Sequence, residues 1–311
     1  MRVVFLGTPL FATIPLRALI HDSRYEVVGV VTQPDRPTGR RRTIQPPPVK
    51  ELAVEYGIPV FQPETLRDAD AIEQLAAFRP DVGVVAAYGE ILRKQVLAIP
   101  PLGYINLHPS LLPLHRGPTP VIGAILSGDT ETGMTIMQLV SKMDAGPILS
   151  QQRVPLAPDA RTEQLTNELF HSGSERLVEV LASYAAGTIE LIPQDDSQAS
   201  YTRMLNRTDG LIDWHSSAIQ IERMIRAYDP WPSAYTNWNG QTLKIIQAQP
   251  IPDWVGNETP GTLFVDQKMI CVATGRGALQ LFSVQPSGKQ NMLADSWYRG
   301  LRGVTEICLG T

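Results

Sequence analysis

Short apolar runs rich in valine and isoleucine alternate with segments of helical pattern in the first third of the chain. Nearly every position of these runs is apolar, which is typical of strands that are buried on both faces of a parallel sheet. The alternation of such strands with helices predicts an α/β domain whose sheet is covered on both sides. The predicted strands are Val3–Leu6, Glu26–Thr32, Ile58–Phe61, Val82–Ala87 and Tyr104–His108.

Residues suited to helix ends lie between these strands. Thr8 can cap a helix that begins at Pro9, because proline fits the first helical position. A glycine, Gly57, follows the second helical pattern and is expected to end it. The predicted helices cover residues 9–21, 49–56 and 68–78.

The pattern changes after residue 130. Two runs of strand type, Thr132–Leu139 and Ile148–Val154, are expected to form a hairpin or a connection at the edge of the sheet. Residues 162–186 have apolar residues at helical spacing, interrupted at Gly173. Residues 188–208 are polar and irregular, so they are predicted to be a linker.

A helical pattern at 217–228 and several short strands follow the linker. Short strands at this spacing, with turn residues between them, favour a small β-barrel of the OB type. The sequence thus predicts two domains. The strands are expected near residues 234–238, 243–249, 261–265, 269–273 and 278–285.

Composition excludes several classes of protein. With 43% hydrophobic and 19% charged residues, the chain is neither disordered nor a coiled coil. Its apolar runs are much shorter than the roughly 18 residues that span a bilayer, so no membrane segment is expected. The two cysteines, Cys271 and Cys308, cannot form a disulfide framework, and we expect a reduced, cytoplasmic protein. The standard glycine-rich motifs that bind phosphate do not occur.

Asn106 and His108 are the most informative pair of polar residues. The period of two along their strand places both side chains on one face of the sheet, and Pro109 ends the strand. Open α/β sheets bind ligands beyond the carboxyl ends of their strands. Both side chains can donate hydrogen bonds to an oxyanion, and histidine can also move a proton. The alternative is a hydrogen-bonded histidine of the core.

Other chemistries fit this region less well. Ser110 lacks the G-x-S-x-G sequence of a nucleophile elbow. The spacing of His108 and His115 matches no standard ligand motif, so no metal is expected. Asp144 is a candidate acid, but an aspartate before Ala-Gly is also an ordinary turn residue, and spacing alone cannot place it beside His108.

A basic loop, QPDRPTGRRRTIQPPP at residues 33–48, is predicted to be neither helix nor strand; we call it the arginine loop. It carries four arginines and one acid, which gives it a net charge of +3 in a chain of −4. Loops of this length are usually functional or disordered. Arginine clusters bind nucleic acids through phosphate, so contact with phosphate is one interpretation and a solvated surface loop is the other.

Several motifs together resemble the folate-dependent formyltransferase family, and within it the methionyl-tRNA formyltransferases. Residues 103–120, GYINLHPSLLPLHRGPTP, contain the hallmark of the family, and it continues in GDTETGMT at 128–135 and MDAG at 143–146. The arginine loop resembles the loop with which the tRNA enzymes engage the acceptor arm. DGLIDW at 209–214 and PWP at 230–232 resemble their C-terminal domain.

The resemblance implies a Rossmann-like formyltransferase domain at residues 1–187, a linker at 188–208 and an OB-like tRNA-binding domain at 209–311. The implied reaction transfers the formyl group of 10-formyltetrahydrofolate to the α-amine of methionyl initiator tRNA, without a metal. We expect the protein to act as a monomer. The implied catalytic residues are Asn106, His108 and Asp144; the folate contacts are Ser110, Leu111, Leu112, Pro113, Tyr88, Gly89, Ile91 and Leu92; the tRNA contacts are Arg36, Arg40, Arg41, Arg42 and Arg207.

Two alternative functions stay open at this point. One is an enzyme that uses the same formyl donor on another amine, such as an amino sugar nucleotide. The arginine loop argues against it, because a small acceptor needs no such basic loop. The other is a non-enzymatic RNA-binding module built on the OB-like domain, which could not transfer a formyl group.

Overall fold

The computed structural model describes residues 1–38, 43–301 and 307–310, which form two compact units. In the described part of the chain, no helix has both the length and the apolar character needed to cross a membrane. The first unit consists of Met1–Pro120, Glu131–Leu156 and Leu165–Arg203. The second unit consists of Val121–Thr130, Ala157–Gln164 and Met204–Thr311.

Nine strands and six helices precede residue 190 in the described ranges. The strands are β1 (Arg2–Gly7), β2 (Glu26–Val31), β3 (Arg36–Thr38), β4 (Thr43–Gln45), β5 (Val60–Phe61), β6 (Val82–Ala86), β7 (Tyr104–His108), β8 (Glu131–Gln138) and β9 (Ile148–Pro155). The helices are α1 (Thr13–His21), α2 (Pro48–Glu55), α3 (Ala69–Ala77), α4 (Lys94–Leu97), α5 (Pro120–Ser127) and α6 (Thr162–Ala185).

Seven strands form the main sheet of the first unit, in the order β5-β2-β1-β6-β7-β8-β9. The first five are parallel to one another, and β8 and β9 continue the sheet in antiparallel orientation. Residues Val3–Leu6 of β1 have no solvent-exposed surface, so both faces of the sheet are covered. The predicted Rossmann-like parallel sheet, with a hairpin at its edge, is confirmed.

Helix α1 begins later than the sequence predicts. Its first residue is Thr13, after a short 3-10 turn at Leu10–Ala12. The hydroxyl of Thr8 caps no helix and instead donates a hydrogen bond to the carbonyl oxygen of Tyr88, at 3.1 Å. The prediction of a cap at Thr8 is wrong because this hydroxyl binds a neighbouring loop.

The arginine loop contains a short hairpin, so the prediction that it has no strand is wrong. Strands β3 and β4 pair antiparallel, with Arg36 opposite Gln45 and Pro37 opposite Ile44. Proline has no backbone N–H to donate to a partner strand. It is tolerated in such a two-stranded hairpin at a position where that N–H would face outward. Residues 39–42, with Arg40, Arg41 and Arg42, lie outside the described residues.

Helix α6 continues through Gly173, where the sequence pattern is interrupted. A Cβ atom at this position would lie 2.6 Å from Cγ of Met134 on β8. The glycine is therefore a point of close contact between helix and sheet, which explains why it breaks the apolar pattern without ending the helix.

The second unit has a helix, α7 (Ala218–Ala227), before its main strands. Ser217 caps α7 and exchanges hydrogen bonds with Gln220, as expected of a capping box. The remaining elements are β10 (Tyr235–Trp238), β11 (Gln241–Ile251), β12 (Thr262–Asp266), β13 (Met269–Ala273), β14 (Ala278–Pro286), β15 (Met292–Leu293), α8 (Ala294–Arg299) and β16 (Ile307–Cys308).

These strands form an antiparallel sheet in the order β10-β11-β14-β13-β12-β16, and β15 pairs with β14. Its core contains Trp214, Ile225, Val272 and Trp297, all buried. The topology is consistent with an OB-type barrel and confirms the fold predicted for this part of the chain.

Residues 188–203 have few regular elements but definite partners in the first unit. Ile192 forms a β-bridge with Ile148, and Tyr201 forms one with Arg116. The domain boundaries at residues 187 and 208 stay a prediction.

Candidate active site

Asn106 and His108 lie in β7, where the main sheet changes from parallel to antiparallel pairing. Asn106 is opposite Val85 of β6 on one side, and His108 is opposite Thr135 of β8 on the other. Both side chains are buried, and they lie on the same face of the strand. The amide group of Asn106 has no hydrogen-bond partner among the described residues, which leaves it available to a bound molecule.

The imidazole of His108 has a defined orientation. Its Nε2 lies 3.0 Å from the carbonyl oxygen of His115. Because a carbonyl oxygen can only accept, Nε2 must carry a proton. The other ring nitrogen, Nδ1, lies 3.8 Å from Oδ2 of Asp144, which is too long for a direct hydrogen bond.

The site favours a neutral imidazole in the free protein. Burial lowers the pKa of His108, and the negative charge of Asp144 opposes this shift. Neutral His108 therefore has its lone pair on Nδ1, directed towards the carboxylate. A proton taken up at Nδ1 would be stabilised by Asp144.

Asp144 lies in the loop between β8 and β9, and the structure brings it beside His108. Its Oδ2 accepts a hydrogen bond of 2.7 Å from the backbone N–H of Gly117. Its φ angle of 49° is in the left-handed region, which aspartate tolerates better than most residues. Asn106 and His108 share one face of β7 and Asp144 lies beside His108, whereas the catalytic roles of the three residues stay a prediction.

The segment Ser110–Pro113 follows β7 and is held by hydrogen bonds to the neighbouring hairpin. Thr135 Oγ1 donates to the carbonyl oxygen of Ser110 at 2.6 Å and accepts from the N–H of Leu112 at 3.2 Å. Gln151 Nε2 donates to the carbonyl oxygen of Leu112 at 2.9 Å. The backbone beyond the carboxyl end of β7 is thus fixed next to the candidate catalytic residues.

The other predicted folate contacts follow β6, whose carboxyl end lies beside that of β7. Tyr88 and Leu92 are buried in the core on one face of the sheet, whereas Ile91 is 65% exposed. Gly89 has a φ of 94°, a conformation that glycine adopts without strain. The two predicted folate segments therefore lie at the same edge of the sheet.

Two family models match the chain, one described as formyl transferase over residues 1–181 and one as formyl transferase, C-terminal domain, over residues 204–302. A curated protein from Roseiflexus sp. (strain RS-1), named methionyl-tRNA formyltransferase, is 60% identical over 302 residues. The alignment covers 97% of this chain and 93% of that protein. This chain belongs to the formyl transferase family.

Solved structures with low sequence identity share the fold. An N-formyltransferase from Helicobacter canadensis, in complex with folinic acid and dTDP-3-aminofucose, is similar with a TM-score of 0.67 and 17% identity, over 93% of this chain and 99% of that chain. HypX from Aquifex aeolicus, in complex with tetrahydrofolic acid, is similar with a TM-score of 0.62 and 18% identity, over 98% of this chain and 48% of that chain.

Of the arginines predicted to contact tRNA, Arg36 and Arg207 lie among the described residues of this formyl transferase. Arg36 is exposed on β3, and Arg207 is exposed in a 3-10 turn of the second unit. The base of the arginine loop is anchored by Asp35, which accepts hydrogen bonds from Lys50 at 2.7 Å and from Gln62 at 2.7 Å.

Sequence reasoning missed the groups that hold the candidate site together. Gly117 binds the carboxylate of Asp144 through its N–H, and Thr135 and Gln151 hold the segment after β7. For Thr135 the available signal was a polar residue between two apolar residues of β8, whereas Gln151 lies in a run of four polar residues and gives no such signal. Among the described residues, no cluster of three or more His, Cys, Asp or Glu side chains could hold a metal ion.

The buried, neutral state of His108 makes a prediction about stability. Because the pKa of His108 is lowered on folding, the unfolded chain binds more protons, and the protein should lose stability as the pH falls through the usual range of histidine. This contribution is at most about 1.4 kcal/mol per pH unit. In urea unfolding at pH 7.5 and 5.5, His108→Gln should lose less stability on acidification than wild type. Equal losses in both proteins would contradict the assignment.

Proposed function

We propose that this formyl transferase moves the formyl group of 10-formyltetrahydrofolate to the α-amine of methionine on initiator tRNA. The proposal rests on one observation above all: a relative named for this reaction is 60% identical along nearly the whole chain. The buried side chains of Asn106 and His108 in β7, with the partly buried carboxylate of Asp144 beside His108, supply the chemistry that acyl transfer needs.

The amine attacks the formyl carbon, and the carbonyl oxygen becomes an oxyanion in the tetrahedral intermediate. The side-chain amide of Asn106 donates a hydrogen bond to that oxygen. A donor placed where negative charge develops typically contributes about 2.7–4 kcal/mol to the transition state. Its buried position strengthens the interaction, because little water competes for it.

His108 handles the proton through Nδ1, since Nε2 is bound to the carbonyl of His115. The attacking amine loses a proton to Nδ1 as the new carbon–nitrogen bond forms, and Asp144 stabilises the resulting imidazolium. The charged ring can donate to the oxyanion, and it returns the proton to N10 as the bond between N10 and the formyl carbon breaks. The products are formylated amine and tetrahydrofolate.

We assign the folate to the edge of the sheet formed by Ser110–Pro113 and residues 88–92. The fixed backbone after β7 offers peptide groups to a pterin ring, and the buried Leu111 and Leu112 offer apolar contact. The arginine loop and Arg207 are assigned to the phosphates of the tRNA. Action as a monomer in the cytoplasm stays a prediction from the sequence.

A single assay tests the proposed function. The protein is incubated with 10-formyltetrahydrofolate and methionyl initiator tRNA, and formylmethionine is measured after hydrolysis of the ester bond. The expected result is formylmethionine in wild type and almost none in His108→Ala. Transfer to an amino sugar nucleotide alone would favour the first alternative, and tRNA binding without any transfer would favour an RNA-binding module.

Asp144→Asn is expected to lower kcat at least about 100-fold, because it keeps the shape of the side chain and removes the charge that stabilises the imidazolium. Loss of that charge also lowers the pKa of His108, so the acid limb of the profile of kcat/KM against pH should move to lower pH. Asp70→Asn, at an exposed carboxylate of α3, is the matched control. Wild-type rate and profile in Asp144→Asn would show that Asp144 is only a turn residue.

A further inference from the structure

A segment of the first unit, residues 194–202, passes next to the Asp144 loop; we call it the strap. Gln194, at its start, is bound on both ends of its amide group. Its Nε2 donates to the carbonyl oxygens of Asp144 at 2.9 Å and of Gly146 at 2.7 Å. Its Oε1 accepts from the guanidinium of Arg116, from Nε at 3.1 Å and from Nη2 at 2.8 Å.

This arrangement fixes which way round the amide of Gln194 lies. Carbonyl oxygens can only accept hydrogen bonds, and a guanidinium can only donate. The NH₂ group must therefore face Asp144 and Gly146, and the oxygen must face Arg116. Each side of the amide has a partner of the opposite kind.

Arg116 is the anchor of the strap. It has no exposed surface, and its guanidinium also contacts Asp196 Oδ1 at 2.8 Å and the hydroxyl of Tyr201 at 3.1 Å. Its backbone N–H donates to the carbonyl oxygen of Ser200 at 2.9 Å, and its carbonyl oxygen accepts from Thr202 at 2.7 Å. A buried guanidinium with this many partners is a rigid support.

Asp144 needs such support because of its position. It lies in the loop between β8 and β9, and its backbone has the left-handed conformation. A residue in this conformation persists only where the surrounding structure holds it there. The N–H of Gly117 binds the carboxylate of Asp144. The backbone carbonyl oxygen of Asp144 is bound by the side-chain amide of Gln194, which belongs to the strap.

We propose that Gln194 is a positioning residue, whose two hydrogen bonds to the backbone around Asp144 hold the carboxylate opposite Nδ1 of His108. This inference rests on the proposed function, in which Asp144 supports the imidazolium. The sequence predicts a linker for the strap, and the proposal gives it a role in positioning a residue of the candidate active site. Gln194 acts through Asp144 and contacts no reacting atom.

Two variants separate positioning from simple anchoring. Gln194→Ala removes every hydrogen bond of the side chain and should lower kcat about tenfold or more, with little change in KM for folate or tRNA. Gln194→Glu keeps an oxygen for Arg116 but replaces the donors with an acceptor. We expect Gln194→Glu to be as slow as Gln194→Ala. If Gln194 served only to accept hydrogen bonds from Arg116, glutamate would restore the wild-type rate. Gln198→Ala, exposed on the strap, is the matched control and should match wild type.

A double-mutant cycle tests whether the effect passes through Asp144. Once Asp144→Asn has removed the charge, the position of the side chain matters little, so adding Gln194→Ala should lower kcat by less than twofold further. Effects that multiply in the double variant would overturn the proposal, because independent sites add in free energy. Wild-type kcat in Gln194→Ala, or in Gln194→Glu, would overturn it equally.

A readout without turnover keeps this test apart from the proposed function. Among the described residues, the charges that act on the pKa of the His108 ring are those of Asp144 and His115. If Gln194 holds Asp144 in place, the titration of the His108 ring, followed by NMR, should move to lower pH in Gln194→Ala and stay unchanged in Gln198→Ala. An unchanged titration in folded Gln194→Ala would refute the positioning role. Absence of formylmethionine with wild type would refute the proposed function alone.

Discussion

Asn106→Ala and His108→Ala are each expected to lower kcat by on the order of 100-fold or more. Asn106→Ala lacks the hydrogen-bond donor to the oxyanion, and His108→Ala lacks the imidazole that moves the proton. Both losses are specific to the transition state. KM for folate and for tRNA should change much less, because neither side chain is assigned to binding of the ground state. Steady-state kinetics with methionyl initiator tRNA measure both parameters.

Folding has to be separated from catalysis in these variants, since both side chains are buried. His108→Gln keeps most of the volume of the ring and should be nearly as slow as His108→Ala. His171→Ala, at an exposed histidine of α6, should match wild type in rate and melting temperature. If Asn106→Ala or His108→Gln formylated at the wild-type rate while folded, the catalytic assignment would be wrong.

The part of the site on β7 could be predicted from sequence because it depends on local geometry. A strand has a period of two, so residues 106 and 108 share a face wherever the strand lies. The position of Asp144 depends instead on the antiparallel pairing of β7, β8 and β9, which spacing along the chain does not specify. Only the resemblance to the formyltransferases suggested that Asp144 joins the other two residues.

Elements without an apolar period were predicted least well. The strap is polar and irregular, so it resembles a linker, yet its amide and peptide groups are bonded to Arg116 and the Asp144 loop. Hydrogen bonds of this kind leave no signal in a hydrophobic pattern. The same holds for the hairpin of β3 and β4, in which three residues on each side are too few to show alternation.

The long strands and helices were predicted because burial dictates their composition. Residues Val3–Leu6 and Tyr104–Leu107 are almost completely buried, and an apolar run of this kind has few alternatives to a central strand. In the second unit, the apolar strand β13 around Val272, with four consecutive buried residues, follows the same logic. The sequence predicted the elements whose apolar side chains are buried. It did not predict the segments that are held by hydrogen bonds of backbone and polar groups.

Replacing Arg40, Arg41 and Arg42 together with alanine is expected to weaken tRNA binding by on the order of tenfold or more. Each exposed ion pair contributes up to about 1 kcal/mol, and 1.4 kcal/mol corresponds to a factor of ten. The three arginines lie among proline and glycine, so the melting temperature should change little. The binding of 10-formyltetrahydrofolate should persist, because the loop is assigned to the tRNA.

The salt dependence of binding distinguishes ion pairs with phosphate from other effects. Each phosphate that the variant no longer neutralises should reduce the slope of log K against log salt by about 0.7–0.9, so three such phosphates should reduce it by about 2–3. The triple lysine variant keeps the charge and should keep most of the slope. Part of the deficit would fall on kcat if the loop positions the acceptor end as well as binding it. Unchanged affinity, slope and turnover in the alanine variant would show that the arginine loop is solvated surface. That result would favour the alternative function, formyl transfer to an amino sugar nucleotide.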